Sequence, residues 1–186
     1  MALPPTLAWV EVDLPAMTEE KQRLLDAEQP VCRLTRRSAD LVDAAARAAL
    51  LDEITAGSSR TLVITEGLLV YLEETVVVGL AKDLMRPPGV RWWVFDLASP
   101  GLLNLMRRSM GSHLTNAPMV FAPESGVAFF EAIGWRALDI HWLLRAAVRV
   151  RRLPWPLRPF ALFPEPNPRR PGKTRWSAAV RLTKSQ

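Results

Sequence analysis

The chain has 186 residues, enough for one domain with a buried core. It is 49% apolar and 23% charged, which excludes a disordered tail or a fibre. The formal net charge of +5 raises the question of nucleic acid, but the excess is local: between Arg145 and Arg175 nine basic side chains meet a single acid, Glu165. Seven prolines fall between Pro154 and Pro171, so this stretch reads first as a solvated Pro- and Arg-rich connector over 151–174. A phosphate or acidic membrane surface is the second reading of the same segment. No interleaved aromatics or zinc-finger spacing accompany it, which argues against nucleic acid.

Other classes fall away quickly. The longest apolar run, Leu62–Leu72, is too short for a bilayer and contains Glu66, so no transmembrane segment is expected. The N-terminal MALPPT lacks the basic start and apolar stretch of a secretory signal. Cys32 is the one cysteine, which fits a reducing, cytoplasmic compartment. His113 and His141 stand far apart, so no metal ion is expected.

In chain order, short apolar runs alternate with helix-period segments, the pattern of strand-helix-strand units. Leu7–Val12 (LAWVEV) predicts a strand, and Thr18–Ala27 a helix begun by a capping residue and acids. Val31–Thr35 predicts a second strand, and the alanine-rich Asp40–Ile54 a helix with Asp43 able to cap it and Gly57 past its end. Thr61–Thr65 (TLVIT) predicts a third strand, apolar on both faces as a buried parallel strand is. Over Glu73–Arg86, Val76, Val77, Leu80, Ala81 and Leu84 share one helical face, and Pro87 stops the helix. Arg91–Leu97 predicts a fourth strand and Pro100–Met110 a helix. Asn116–Ser125 reads as loop, and Gly126–Ile133 as a helix ended by Gly134. Ala137–Trp142 predicts a fifth strand, Leu143–Val150 a helix, and Arg175–Thr183 a sixth strand pairing antiparallel at an edge. The expectation is a single domain over 1–186.

In an open α/β sheet, ligands bind beyond the carboxyl ends of the strands. That rule selects Asp13, Asp40 and Glu66, near-evenly spaced at the ends of the first three strand segments. Asp13 either begins a turn before Pro15 or holds a ribose diol. Asp40 either caps the helix after it or faces the same crevice. Glu66 interrupts LVITEGLLVYL; a carboxylate buried there needs a partner, and an ammonium or sulfonium ligand would supply one.

These segments resemble the leucine carboxyl methyltransferase-like group of S-adenosylmethionine-dependent methyltransferases, in particular its bacterial and polyketide-tailoring branch. The resemblance rests on WVEVDLP (Trp9–Pro15), ADL (Ala39–Leu41), LVITEGLLVYL (Leu62–Leu72) and WVFDLASP (Trp93–Pro100), with FFEAIGW (Phe129–Trp135). It implies a Rossmann-like α/β fold with a seven-stranded sheet in the order 3-2-1-4-5-7-6, the last strand antiparallel. S-adenosylmethionine is the implied cofactor. Asp13 would bind its ribose, Asp40 and Leu41 its adenine, and Glu66 its methionine end. Tyr71 would face the acceptor, or else simply pack on the following helix. Asp96 would line the acceptor side.

The group's pattern also has a strand ending in a Gly-x-Gly loop, which lets the backbone approach the cofactor, before the WVEVDLP segment. No such loop is present here, so the resemblance implies an N-terminally truncated domain lacking its first central strand. The strands at Leu7 and Thr61 would then each keep an unpaired edge, favouring self-association and weak cofactor binding. The implied reaction is O-methylation of a carboxylate on a small molecule or peptide end, which needs no general base. The alternative is a non-catalytic remnant that no longer binds cofactor.

Overall fold

Trp9, Val10 and Val12 favour extended backbone, and strand β1 (Ala8–Asp13) closes where Pro15 follows. Pro15 occupies the first helical position, where its missing N–H costs nothing, and opens α1 (Pro15–Leu24). The expected start at Thr18 is therefore too late. Thr18 lies within the first turn, its Oγ1 donating to the Leu14 carbonyl (3.2 Å). The computed structural model describes residues 3–110 and 118–185. The first residues of the expected Asn116–Ser125 loop, and His113, lie outside them.

β2 (Arg33–Ser38) runs parallel to β1, with Ala8 opposite Arg33 and Asp13 opposite Ser38. Its two central arginines, absent from the expected strand Val31–Thr35, are accommodated by carboxylates. Arg36 donates to Glu11 directly opposite (3.0 Å), and Arg37 to Glu53 (3.0 Å). α2 (Ala44–Thr55) begins later than the expected Asp40, because Asp43 is its N-cap and accepts from the N–H groups of Ala45 (2.8 Å) and Ala46 (3.1 Å). Residues Met1–Ala56 form one compact unit around this two-stranded sheet, and Gly57–Gln186 form a second.

The second unit begins with β3 (Thr61–Thr65), a 3-10 turn (Leu69–Tyr71) and α3 (Glu74–Met85). It continues with β4 (Val90–Ala98), α4 (Pro100–Met110), α5 (Ala128–Ile133) and β5 (Trp135–Trp142). α6 (Leu143–Arg149), a 3-10 segment (Trp155–Leu162) and β6 (Ser177–Lys184) complete it. The strands form a mixed sheet in the order β3-β4-β6-β5, with β3 and β4 parallel and β6 antiparallel to both of its neighbours. The last strand is thus interior rather than at an edge. Its alternating Ala178, Val180 and Leu182, all fully buried, suit a central position.

One face of this sheet carries the core. Trp93, Phe95 and Leu97 of β4 stand opposite Leu182, Val180 and Ala178 of β6. Val77, Leu80, Ala81 and Leu84 of α3 are buried as their spacing predicts, and Val76 is half-buried. Aromatic rings interlock: Trp93 meets Phe130 edge-on at 5.4 Å, and Phe95 and Phe130 lie 4.5 Å apart. Trp93 Nε1 donates to Thr65 Oγ1 (3.0 Å) and Trp135 Nε1 to the Ala81 carbonyl (3.1 Å), so these two buried indoles are satisfied as they pack. The opposite face is open at β3, where Leu62 and Ile64 are each 49% exposed. The expectation of a strand buried on both faces is corrected accordingly. Among the described residues β1 pairs only with β2, and β3 only with β4, so each strand keeps one edge without a ladder.

The connector is only partly a solvated loop. Leu153 and Pro171 are buried. The Pro168 carbonyl accepts from Val127 N–H (2.9 Å), and Arg169 forks onto Glu131 of α5 (2.6 and 2.7 Å). Gly126 has φ +53°, and a Cβ there would meet the Pro168 carbonyl oxygen at 2.2 Å, so only glycine fits.

Candidate functional site

Two sets of carboxylates stand at carboxyl ends of strands, one in each unit. In the first unit, the Asp13 carbonyl accepts from Ala39 N–H (3.0 Å), which draws the segment after β2 against the end of β1 and places Asp40 beside it. Asp13 is half-buried; its Oδ1 accepts from Leu14 N–H (3.0 Å) and its Oδ2 meets Lys21 Nζ at 3.2 Å. Lys21 lies on α1, one position that the reading from the strand ends missed. A carboxylate followed by a lysine on the next helix was the available signal. Asp40 is exposed and closes an Asx turn, its Oδ1 accepting from Val42 N–H (2.9 Å). It does not cap α2, since Asp43 does. Leu41 is half-buried, and its carbonyl accepts from the buried Arg47 (2.6 Å).

In the second unit, the chain leaves β3 through Thr65-Glu66-Gly67. Gly67 has φ +60°, a conformation that suits glycine. Its N–H donates to Asp96 Oδ1 at 2.6 Å, tying the turn after β3 to the carboxyl-terminal half of β4. Asp96 thereby holds the turn that carries Glu66. Glu66 itself is exposed, so no buried charge demands a cationic partner. That inference from the apolar run is corrected, and the cause is the open face and edge of β3. Tyr71 is 39% exposed at the end of the 3-10 turn. The turn is pinned elsewhere, by the Val70 carbonyl accepting from the N–H groups of Val120 (2.7 Å) and Phe121 (3.1 Å).

Ser99, fully buried just past β4, is a junction that sequence reading did not single out. Its Oγ donates to the Thr174 carbonyl and accepts from the N–H groups of Trp176 (3.0 Å) and Leu102 (3.2 Å). The indole N–H of Trp176 has no hydrogen-bond partner among the described residues. It is a spare donor at the same carboxyl edge.

These acids follow strands in a sequence that compares with one family. Residues 1–85 match leucine carboxyl methyltransferase. The leucine carboxyl methyltransferase match covers β1 to α3 and every candidate acid except Asp96. Comparison with curated proteins gives no match. Among solved structures, a DUF574 family protein from Streptomyces avermitilis superposes with a TM-score of 0.62 at 15% identity, over 97% of this chain and 66% of its own length. A putative methyltransferase from Thermobifida fusca gives 0.54 at 17% identity, over 95% and 63%. Magnesium protoporphyrin IX methyltransferase from Synechocystis, solved with bound S-adenosylhomocysteine, gives 0.51 at 11%, over 98% and 75%. At these identities the likeness establishes the fold, a mixed α/β sheet of the kind found in S-adenosylmethionine-dependent methyltransferases. The chain spans slightly less than two thirds of the first of these structures.

The donor set can be judged against that cofactor unit by unit. Acids ending β1 and following β2 suit hydroxyl and amine donors. The exposed Glu66, held by a glycine turn, suits an ammonium group. Among the described residues no cluster of three or more His, Cys, Asp or Glu could hold a metal ion.

Proposed function

We propose that this chain is the core of an S-adenosylmethionine-dependent O-methyltransferase that acts on a carboxylate of a small molecule or peptide end. The observation that carries the reading is the placement of Asp13 and Asp40 together at the carboxyl edge of β1 and β2, inside the segment that matches leucine carboxyl methyltransferase. In the seven-stranded order 3-2-1-4-5-7-6, β1-β2 reads as strands 2 and 3, and β3-β4-β6-β5 as 4-5-7-6. The strand numbered first in that order has no counterpart among the described residues. The open edges of β1 and β3 support self-association as part of the same reading.

When bound, S-adenosylmethionine supplies an electrophilic methyl group on a sulfonium. Asp13 would accept from the ribose hydroxyls, its carboxylate oriented by Lys21. Asp40 would accept from the exocyclic amine of adenine, and Leu41 would pack against the ring. Glu66, on the turn that Asp96 ties through Gly67 N–H, would meet the amino group. Tyr71 would face the acceptor. A carboxylate acceptor is ionised at neutral pH, so catalysis reduces to alignment and exclusion of water and needs no base.

Titration of the 15N-labelled chain with S-adenosylhomocysteine tests this. Shifts confined to the amides of Asp13, Asp40, Leu41, Glu66 and Gly67, abolished in Asp13→Ala, are expected even at millimolar affinity. Shifts elsewhere, or none at saturating ligand, would sink the reading.

A further inference from the structure

Between Leu143 and Pro164 the chain carries five arginines and no acid. Arg149, Arg151, Arg152 and Arg158 are all exposed and make no ion pair among the described residues. Beside them stand apolar side chains that no part of the described chain covers. Trp155 is 80% and Leu162 87% exposed, and Val150, Phe160 and Phe163 are each more than half exposed. Isolated exposed apolar residues are ordinary; a contiguous run of this size rimmed by one sign of charge marks an interaction surface.

The surface is preformed. Pro154, Pro156 and Pro159 restrict the backbone of the 3-10 segment, so its anchors lose little freedom on binding. Leu153, just before it in the chain, is buried. Arg145 stacks over the Trp142 ring (5.3 Å) and donates to the Phe163 carbonyl (3.3 Å), fastening the end of the segment to α6. α6 itself ends in a left-handed residue, Arg151 (φ 56°), with Arg152 N–H donating to the Ala147 carbonyl (2.9 Å). Glycine is favoured at such a position, yet an arginine stands there.

We propose that this segment, Leu143–Phe163, docks the protein on an anionic lipid bilayer. Trp155 and Leu162, 80% and 87% exposed, are more open than residues lining a ligand pocket, which suits insertion into a soft interface and not enclosure of a small ligand. An aliphatic tip such as Leu162 gains nothing from a nucleic acid backbone but partitions into an acyl boundary. Trp155 and the arginines suit the headgroup level, where an amphipathic ring and phosphate both find partners. The segment also follows the carboxyl end of β5 and precedes β6, whose Ser177 lies opposite Ala98 at the end of β4. Docking therefore presents the carboxyl edge of this sheet to the lipid surface.

Sedimentation of the full chain with vesicles of 30% phosphatidylglycerol in phosphatidylcholine tests the inference, beside pure phosphatidylcholine vesicles and a short single-stranded RNA. Binding only to the anionic vesicles is expected, with a blue-shifted tryptophan emission that is lost in Trp155→Phe. Each arginine removed should lower the partition coefficient on the order of fivefold. Arg151→Gly suits this test because it takes away a charge at a position where glycine is at ease. Trp155→Ala with Leu162→Ala should abolish binding while leaving the thermal midpoint unchanged. RNA binding that survives this double variant and disappears with the arginines would overturn the proposal. So would a concentration-dependent dimer that the double variant dissolves in the absence of vesicle binding. The outcome is independent of methyl transfer: vesicle binding persists in Asp13→Ala, so the two readings fail separately.

Discussion

β1 and β3 are strands of similar length, each paired in parallel with one neighbour among the described residues, yet they sit in regions of very different solidity. β3 leans on β4, which is backed by β6 and then β5. β1 leans on β2, which has no further neighbour among the described residues and carries a single apolar residue, Leu34, among three arginines. In the first unit Leu50 and Leu51 are the only apolar side chains buried among the described residues. In the second, three tryptophans and two phenylalanines are almost fully enclosed. The buried core thus lies in the unit whose sheet extends further.

Substitutions in the two units should differ in cost. Trp93→Ala removes a fully buried ring and leaves the Thr65 hydroxyl unpaired; it should destabilise the second unit by about 4 kcal/mol in urea unfolding. Gly126→Ala meets the Pro168 carbonyl and an unfavourable φ, and should cost about 2–3 kcal/mol in the same experiment. In the first unit the largest single effect expected of a surface change is the loss of the α2 cap. Asp43→Ala should cost that helix about 1 kcal/mol, read as faster amide exchange at Ala45 and Ala46. Amide exchange should also separate the units in the unmodified chain, with β4 and β6 far slower than β1 and β2. Equal protection in the two sheets would end the comparison.

The smallest effect is electrostatic. Glu131 is held below the usual carboxylate range, first by the hydrogen bonds from Arg169, against a smaller opposing effect of burial. A carboxylate whose folded pKa is depressed stabilises the fold above its unfolded pKa, and that contribution is lost as pH falls through the folded value. Because the pair is partly exposed, the contribution is below about 1 kcal/mol. Glu131→Gln should therefore lower the thermal midpoint slightly at pH 7 and leave it unchanged once pH lies well below 4.

Local chemistry made much of this readable in advance. Thr61–Thr65 and Pro100–Met110 are delimited by their flanking residues, α3 by its buried face and two prolines, and Gly134 by its left-handed φ of +116°. The acids after the strands follow from the order of elements. What could not be read depends on partners distant in sequence. β2 tolerates Arg36 and Arg37 because Glu11 and Glu53 come to meet them. β6 is interior because of strand order, which hydropathy does not encode. Glu66 stands in the open because of what does not cover β3. Ser99 carries no motif and Lys21 only a weak one, and their roles appear when α1 returns to Asp13 and when residue 174 returns to β4.

The interior place of β6 has a consequence in time. Both of its neighbours are synthesised before it, so while the ribosome is still extending the chain, β4 and β5 have no ladder between them and Trp93 and Phe95 lack the side chains that later oppose them. The sheet closes only when its middle is threaded last, with Ser99 waiting for Thr174 and Trp176. Such long-range closure is slow. A nascent chain of this kind spends its most vulnerable interval with its largest aromatic cluster half-built, the interval in which chaperones engage a polypeptide.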